Sequence, residues 1–158
     1  MYNKKYTAIG FQNNAGGYEL RNQYFKGSSS PKDVTFFDNQ QQQLAVFEGF
    51  FNFLSFQTIR ENKSQSLTNL PDRQVNFLVL NSLSFFEKSK EKMEEHPQIH
   101  LFLDRDKAGI NCTELAMKSS GKYIDQSARY KQFKDLNDYL IKYQELQQKQ
   151  SLRRGRHL

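Results

Sequence analysis

Apolar residues along this chain come in short unbroken runs set between stretches of helical spacing. Residues 44–47 (Leu-Ala-Val-Phe), 77–80 (Phe-Leu-Val-Leu) and 99–103 (Ile-His-Leu-Phe-Leu) are the runs. Each is too short for a helix and has no alternation, which predicts strands buried on both faces. Between them, Phe50, Phe53, Leu54 and Ile59 recur at helical spacing, as do residues from Ser82 to about Glu95 and from Ala108 to Lys118. Residues 122–124 suit a fourth short strand. Residues 135–148 suit a last helix, with Leu136, Tyr139, Leu140, Tyr143 and Leu146 on one face. Strands that alternate with helices in this way predict an α/β fold around a mostly parallel, four-stranded sheet flanked by helices.

The first 43 residues have a different pattern. Residues 6–11, 18–20 and 34–37 are β-prone, and clusters of Asn, Gly, Ser and Pro at 13–17 and 27–31 read as turns. A polar stretch, Asp38-Asn39 followed by Gln40 to Gln43, closes this part. The expected organisation is a small β-rich N-terminal subdomain (1–43), an α/β domain (44–142), and a helix end with a basic tail (143–158).

Composition narrows the picture. A chain of 158 residues accommodates one domain with a small appendage. A single Cys excludes a disulfide framework or a Cys-based zinc site within it. The mean hydropathy is −0.83 and no apolar run approaches the roughly 18 residues of a membrane span, so a soluble, cytoplasmic protein with no membrane partner is expected. The net charge of +6 sits at the ends: residues 142–158 hold five bases and one acid, and the middle of the chain is neutral. Basic ends suit an anionic polymer, and equally a solvated tail such as Arg153-Arg154-Gly155-Arg156.

Candidate chemistry lies where the apolar runs stop. Glu48 follows the first run, and Asp104 and Asp106 follow the third. Ligands of open α/β sheets bind beyond the carboxyl ends of strands. Carboxylates gathered there repel one another unless a hard cation such as Mg²⁺ offsets them. The alternative reading is local: Asp106 before Lys107-Ala108-Gly109 fits a helix N-cap, and Glu48 before Gly49 a plain loop residue. Cys112, Phe85 and Phe86 read as core, and His96, His100 and His157 lack metal-ligand spacing.

The segment Leu44-Ala45-Val46-Phe47-Glu48-Gly49, followed by Leu103-Asp104-Arg105-Asp106-Lys107-Ala108-Gly109, resembles the Toprim signature: Glu-Gly after one strand and Asp-x-Asp-x-x-Gly after a later one. The Ala108-Gly109 ending is most similar to the form in DnaG-type DNA primases. Residues 76–84 resemble the primases' middle strand and turn, and Lys134-Asp135-Leu136-Asn137-Asp138 resembles their later acidic motif, with Asn137 in place of its second acid. Residues 8–11, Arg21 and residues 24–32 resemble the basic subdomain that precedes Toprim. The whole set is similar to primases of plasmids and conjugative elements of the Bacteroides group. In primases the pattern is Glu-Gly-x-x-Asp, and here the fifth position is Asn52.

This resemblance implies a Toprim fold and the catalytic core of a longer primase with a zinc-ribbon domain upstream. It implies metal-dependent nucleotidyl transfer that makes short RNA primers from NTPs on a single-stranded DNA template, and a replicative helicase as a further partner. Asp104, Asp106 and Asp135 would be ligands of Mg²⁺ or Mn²⁺, directly or through water. Glu48 would be a further ligand or the general base. Arg21, Lys26 and Lys32 would contact template or triphosphate, and Ser28 and Ser29 would donate to phosphate, although that segment also reads as an ordinary surface turn. Asn52, Asn137 and Asp138 are secondary members of the site. Tyr24 and Phe25 would stack on bases or belong to the core. A Toprim nuclease and a non-catalytic DNA-binding module are the other readings.

Overall fold

A computed structural model describes residues 7–62 and 75–154, without the side chains of Arg153 and Arg154. The strand start expected at Tyr6 and the tail residues through His157 fall outside that set. Three short strands, β1 (Ile9–Gln12), β2 (Tyr18–Arg21) and β3 (Lys26–Ser28), form an antiparallel sheet of their own. The remaining strands are β4 (Thr35–Phe37), β5 (Gln43–Phe47), β6 (Val75–Val79), β7 (Gln98–Phe102) and β8 (Tyr123–Asp125). They form a second sheet in the order β4-β6-β5-β7-β8. In it β5, β6, β7 and β8 are parallel, and β4 adds an antiparallel edge beside β6.

The unbroken apolar runs sit in the middle of this sheet because both of its faces are covered. Alternate residues of a strand point to opposite faces. Leu44 and Val46 of β5 join one buried cluster, and Ala45 and Phe47 join another. The first face is aliphatic, with Leu78, Leu80, Ile99, Leu101 and Leu103, and lies under α2 (Phe86–Glu94) and α3 (Lys107–Ser119). The second is aromatic: Phe47, Phe77 and Phe102 meet Phe53 and Phe56 of α1 (Phe50–Glu61), with ring centroids 5.0 Å apart for Phe47 and Phe102. Leu136 and Leu140 of α4 (Leu136–Arg154) close that face. Much of the chain's Phe content is spent there. Cys112, read from the sequence as core, packs against the aliphatic face and is half-buried.

Three local outcomes differ from the periodicity. Lys26–Ser28, which runs into the turn cluster expected at 27–31, forms β3, because Glu19, Leu20 and Arg21 supply a partner register that Gly and Ser propensities do not advertise. Thr35–Phe37 pairs with Val79, Leu78 and Phe77 in the central sheet, although its β-propensity alone placed it with the N-terminal strands. The apolar stripe of α4 leaves the core after Leu140, and Leu146 is 57% exposed.

The chain runs from β5 through α1 to β6, then crosses to β7 on the other side of β5. Strand order therefore reverses at β5, and the crevice that opens at such a point lies beyond the carboxyl ends of the strands. Glu48 is the first residue past β5.

Candidate active site

A cleft of about 280 Å³ opens at that switch point. Glu48, Asn52, Asp104, Asp135 and Asn137 line it from the α/β domain, and Glu19, Arg21 and Lys26 line it from β2 and β3. Residues scattered over more than a hundred positions of sequence thus meet in one place.

Each acid is placed by its element. Glu48 follows β5, and its Oε2 accepts the Asp104 N–H at 3.2 Å. This bond ties the ends of β5 and β7 together. Asp104 stands two residues past β7, and its carbonyl abuts α3: a Cβ on Gly109 would lie 2.1 Å from the Asp104 oxygen. Only glycine permits that approach. Asp106 is the N-cap of α3, with Oδ1 accepting the Gly109 N–H at 2.9 Å. Asp135 precedes α4 and accepts the Asp138 N–H at 2.7 Å. Asp138 in turn accepts the Lys134 N–H at 3.4 Å. Of the four expected acids, Glu48, Asp104 and Asp135 line the cleft; Asp106 lies outside its lining, near enough to act on Glu48 and Asp104 through its charge.

The electrostatics follow from this crowding. Burial, with Asp104 and Asp106 nearby, pushes the Glu48 carboxyl up to about 7, and the hydrogen bond from the Asp104 N–H and the charge of Lys26 offset the effect only in part. Burial also raises Asp104, helped by Asp135 and Asp106 and opposed by the Asn52 hydrogen bond and Lys134. Among the described residues, no group of three or more His, Cys, Asp or Glu side chains stands close enough to form a ready-made cation cage.

The amides of the site form a chain. Asn52 Nδ2 donates to Asp104 Oδ1 at 2.7 Å, and Asn52 Oδ1 accepts the Asn137 N–H at 3.1 Å. The Ser55 hydroxyl then donates to Asn137 Oδ1 at 3.1 Å. On the basic side, the Arg21 guanidinium lies 4.8 Å from the centre of the Phe51 ring, and Lys26 is the first residue of β3. Ser28, Ser29 and Lys32 are not part of the cleft lining. Ser28 pairs with Glu19 across the ladder, and the Ser29 hydroxyl accepts the Tyr18 N–H at 2.9 Å. Tyr24 and Phe25, at the tip of the β2–β3 hairpin, are 81% and 49% exposed and so are not core.

Sequence reasoning passed over Glu19 and Asn81. Glu19 shares a strand face with Arg21, a period-two signal that was present in the sequence. Asn81 follows β6 with φ of 62° and is fixed by donating to the Asp33 carbonyl at 2.9 Å. No sequence pattern marks that contact.

Residues 45–140, more than half the chain, match the model of the Toprim-like family. Residues 1–30 match the model of a domain of unknown function (DUF8464). No curated protein matches the chain. Among solved structures, the fold is similar to the primase fragment of the bacteriophage T7 primase-helicase protein, with a TM-score of 0.57 and 18% identity, covering 87% of this chain. The chain spans 58% of the length of that fragment. A structure of the T7 lagging-strand DNA polymerase with primase domains bound to an RNA/DNA hybrid and dTTP matches 75% of this chain and 63% of the matched one, at 19% identity and a TM-score of 0.49. Among the described residues, no helix is long and apolar enough to cross a membrane. The reversal of strand order at β5, the acids beyond the strand ends and the matched family model agree: the chain belongs to the Toprim-like family.

Proposed function

We propose that this chain is the catalytic core of a DNA primase that joins ribonucleotides on a single-stranded DNA template. The observation that carries the reading is the meeting of Glu48, Asp104 and Asp135 with Arg21 and Lys26 in one cleft. Carboxylates suit a hard divalent cation, and cationic side chains beside them suit phosphate. The cleft's acids are all oxygen donors whose repulsion is only partly offset by Lys26 and Lys134. That set fits Mg²⁺ or Mn²⁺ held by one or two carboxylates, with water and substrate phosphate completing the shell.

In this reading Glu48 and Asp104 would hold the cation, and Asp135 would contribute from the start of α4. Asp106 has one oxygen committed to capping α3, so it adds negative field or binds through water. A bound divalent cation supplies charge compensation for the attacking 3′-hydroxyl and the leaving pyrophosphate. Alternatively, Glu48 in its ionised form would accept the hydroxyl proton as general base, a role that a carboxyl raised to about 7 suits. Arg21 and Lys26 bind triphosphate or template phosphate, and the planar Arg21 group is oriented by Phe51. The template passes the β2–β3 hairpin, where Tyr24 offers an exposed ring for base stacking. Lys32 adds positive charge on the same subdomain. A zinc-ribbon domain and a replicative helicase are the further partners this reading implies.

A second reading, a non-catalytic DNA-binding module, is favoured by the amides at positions 52 and 137 and by the lack of a three-acid cage among the described residues. The test incubates the chain with single-stranded DNA, labelled NTPs and Mg²⁺ or Mn²⁺. Short labelled oligomers, absent with Asp104→Asn, are the expected result. A shortened template would indicate a nuclease, and template binding without either product the non-catalytic module.

A further inference from the structure

Asn52 is 6% exposed and sits on the first turn of α1, between two structures that it touches at once. Its orientation is fixed by chemistry. The Asn137 backbone N–H can only donate, so the oxygen of the Asn52 amide must face it. The Asn52 NH₂ group therefore faces Asp104, at 2.7 Å from Oδ1. A carboxylate at position 52 would accept from Asn137 equally well, but it would meet Asp104 acceptor to acceptor. The amide is thus the side-chain type of this size that satisfies both neighbours without an added proton.

We propose that Asn52 is the positioning residue of Asp104: its amide clamps one carboxylate oxygen against the start of α4 and leaves the other oxygen for a divalent cation. The inference rests on the function proposed above and adds to it. It assigns the substitution of an amide for an acid a working role. The site runs with one negative charge fewer, and Asp104 is aligned by a hydrogen bond instead of by a neighbouring charged ligand. Ser55, 3% exposed, secures the arrangement by donating to Asn137 Oδ1.

Two measurements test this. The first is Mn²⁺ binding, read by loss of the free-ion electron paramagnetic resonance signal. Asn52→Ala is expected to weaken it about tenfold or more, as losses of hydrogen-bond partners around metal ligands do. An unchanged Mn²⁺ affinity in a folded Asn52→Ala protein would overturn the proposal. The second is a metal-free thermal cycle. Asn52→Asp is expected to lower Tm by about 5 °C or more. Adding Asp104→Asn should restore most of that loss, because the swapped pair recreates the bond with donor and acceptor exchanged. A double variant no more stable than Asn52→Asp alone would also overturn it. Should Asn52→Asp fail to fold, recovery of folding in the double variant carries the same information. If the unaltered protein binds no Mn²⁺, the proposed function fails, and the thermal cycle still decides whether Asn52 clamps Asp104.

Discussion

The two ends of the central sheet are built from the same strands and treat polar groups in opposite ways. At the amino ends, Asn76 of β6 is 4% exposed and has a partner for every polar atom. Its oxygen accepts from the Asn39 and Gln41 backbones at 2.8 and 3.1 Å, and its NH₂ group reaches the Gln41 carbonyl and His96 Nε2. Midway along β7, His100 lies between Gln43 and Gln126, and burial holds its imidazole below the usual range, toward the neutral form. At the carboxyl ends, Glu48 and Asp104 are pushed together with other acids nearby, and both carboxyls are raised. Amide and imidazole partners satisfy the polar groups of one end; like charges load the other. The first arrangement serves stability. The second costs stability and makes sense as a place that awaits a cation or an incoming group.

Substitutions at the two ends should therefore separate stability from function. The largest effect is expected from Asp104→Asn, which should lower nucleotidyl transfer by a hundredfold to a thousandfold. Its metal-free Tm should not fall, because a raised buried carboxylate is removed. A parallel loss of Tm and activity would erase the contrast between the ends. Gly109→Ala should damage both properties. The added Cβ would strike the Asp104 carbonyl, at a cost of about 3 kcal/mol and with loss of activity as Asp104 shifts.

Asn76→Ala should do the reverse of Asp104→Asn. It strips partners from buried groups and should cost about 2 kcal/mol, visible as a Tm lower by roughly 4–8 °C. Activity per folded molecule should be unchanged. The smallest effect concerns pH. The folded Glu48 carboxyl titrates at about 7, above its ordinary 4.5. Between those values the folded protein holds a proton that the unfolded chain has released, so metal-free stability falls as pH rises through that window. The partly solvated position limits the change to on the order of 1 kcal/mol. Glu48→Gln should flatten the slope, and an unaltered slope would place the strain elsewhere.

The sequence showed the two ends unequally. Strands buried on both faces betray themselves by unbroken apolar runs, and an acid that ends such a run stands out against them; hence Glu48 and Asp104 were legible. Asp135 was legible only through its motif. Propensity says that a segment is extended but not what it pairs with, so the partners of β3 and β4 were hidden. The bridge through Asn52 joins residues 52 and 85 positions away along the chain, a distance over which no periodicity carries information. The Asn76 and His96 pairing was hidden for the same reason, although Asn76 is conspicuous as a polar residue beside the apolar run 77–80.

The central claim is that the carboxyl ends of β5 and β7 hold a divalent cation. Titration of Mn²⁺ into the unaltered protein and into Asp104→Asn, followed by the free-ion electron paramagnetic resonance signal, tests it most directly. Saturable binding to the unaltered protein, weakened at least about tenfold in the variant, is the predicted result. Equal binding to both proteins, or none to either, would contradict it.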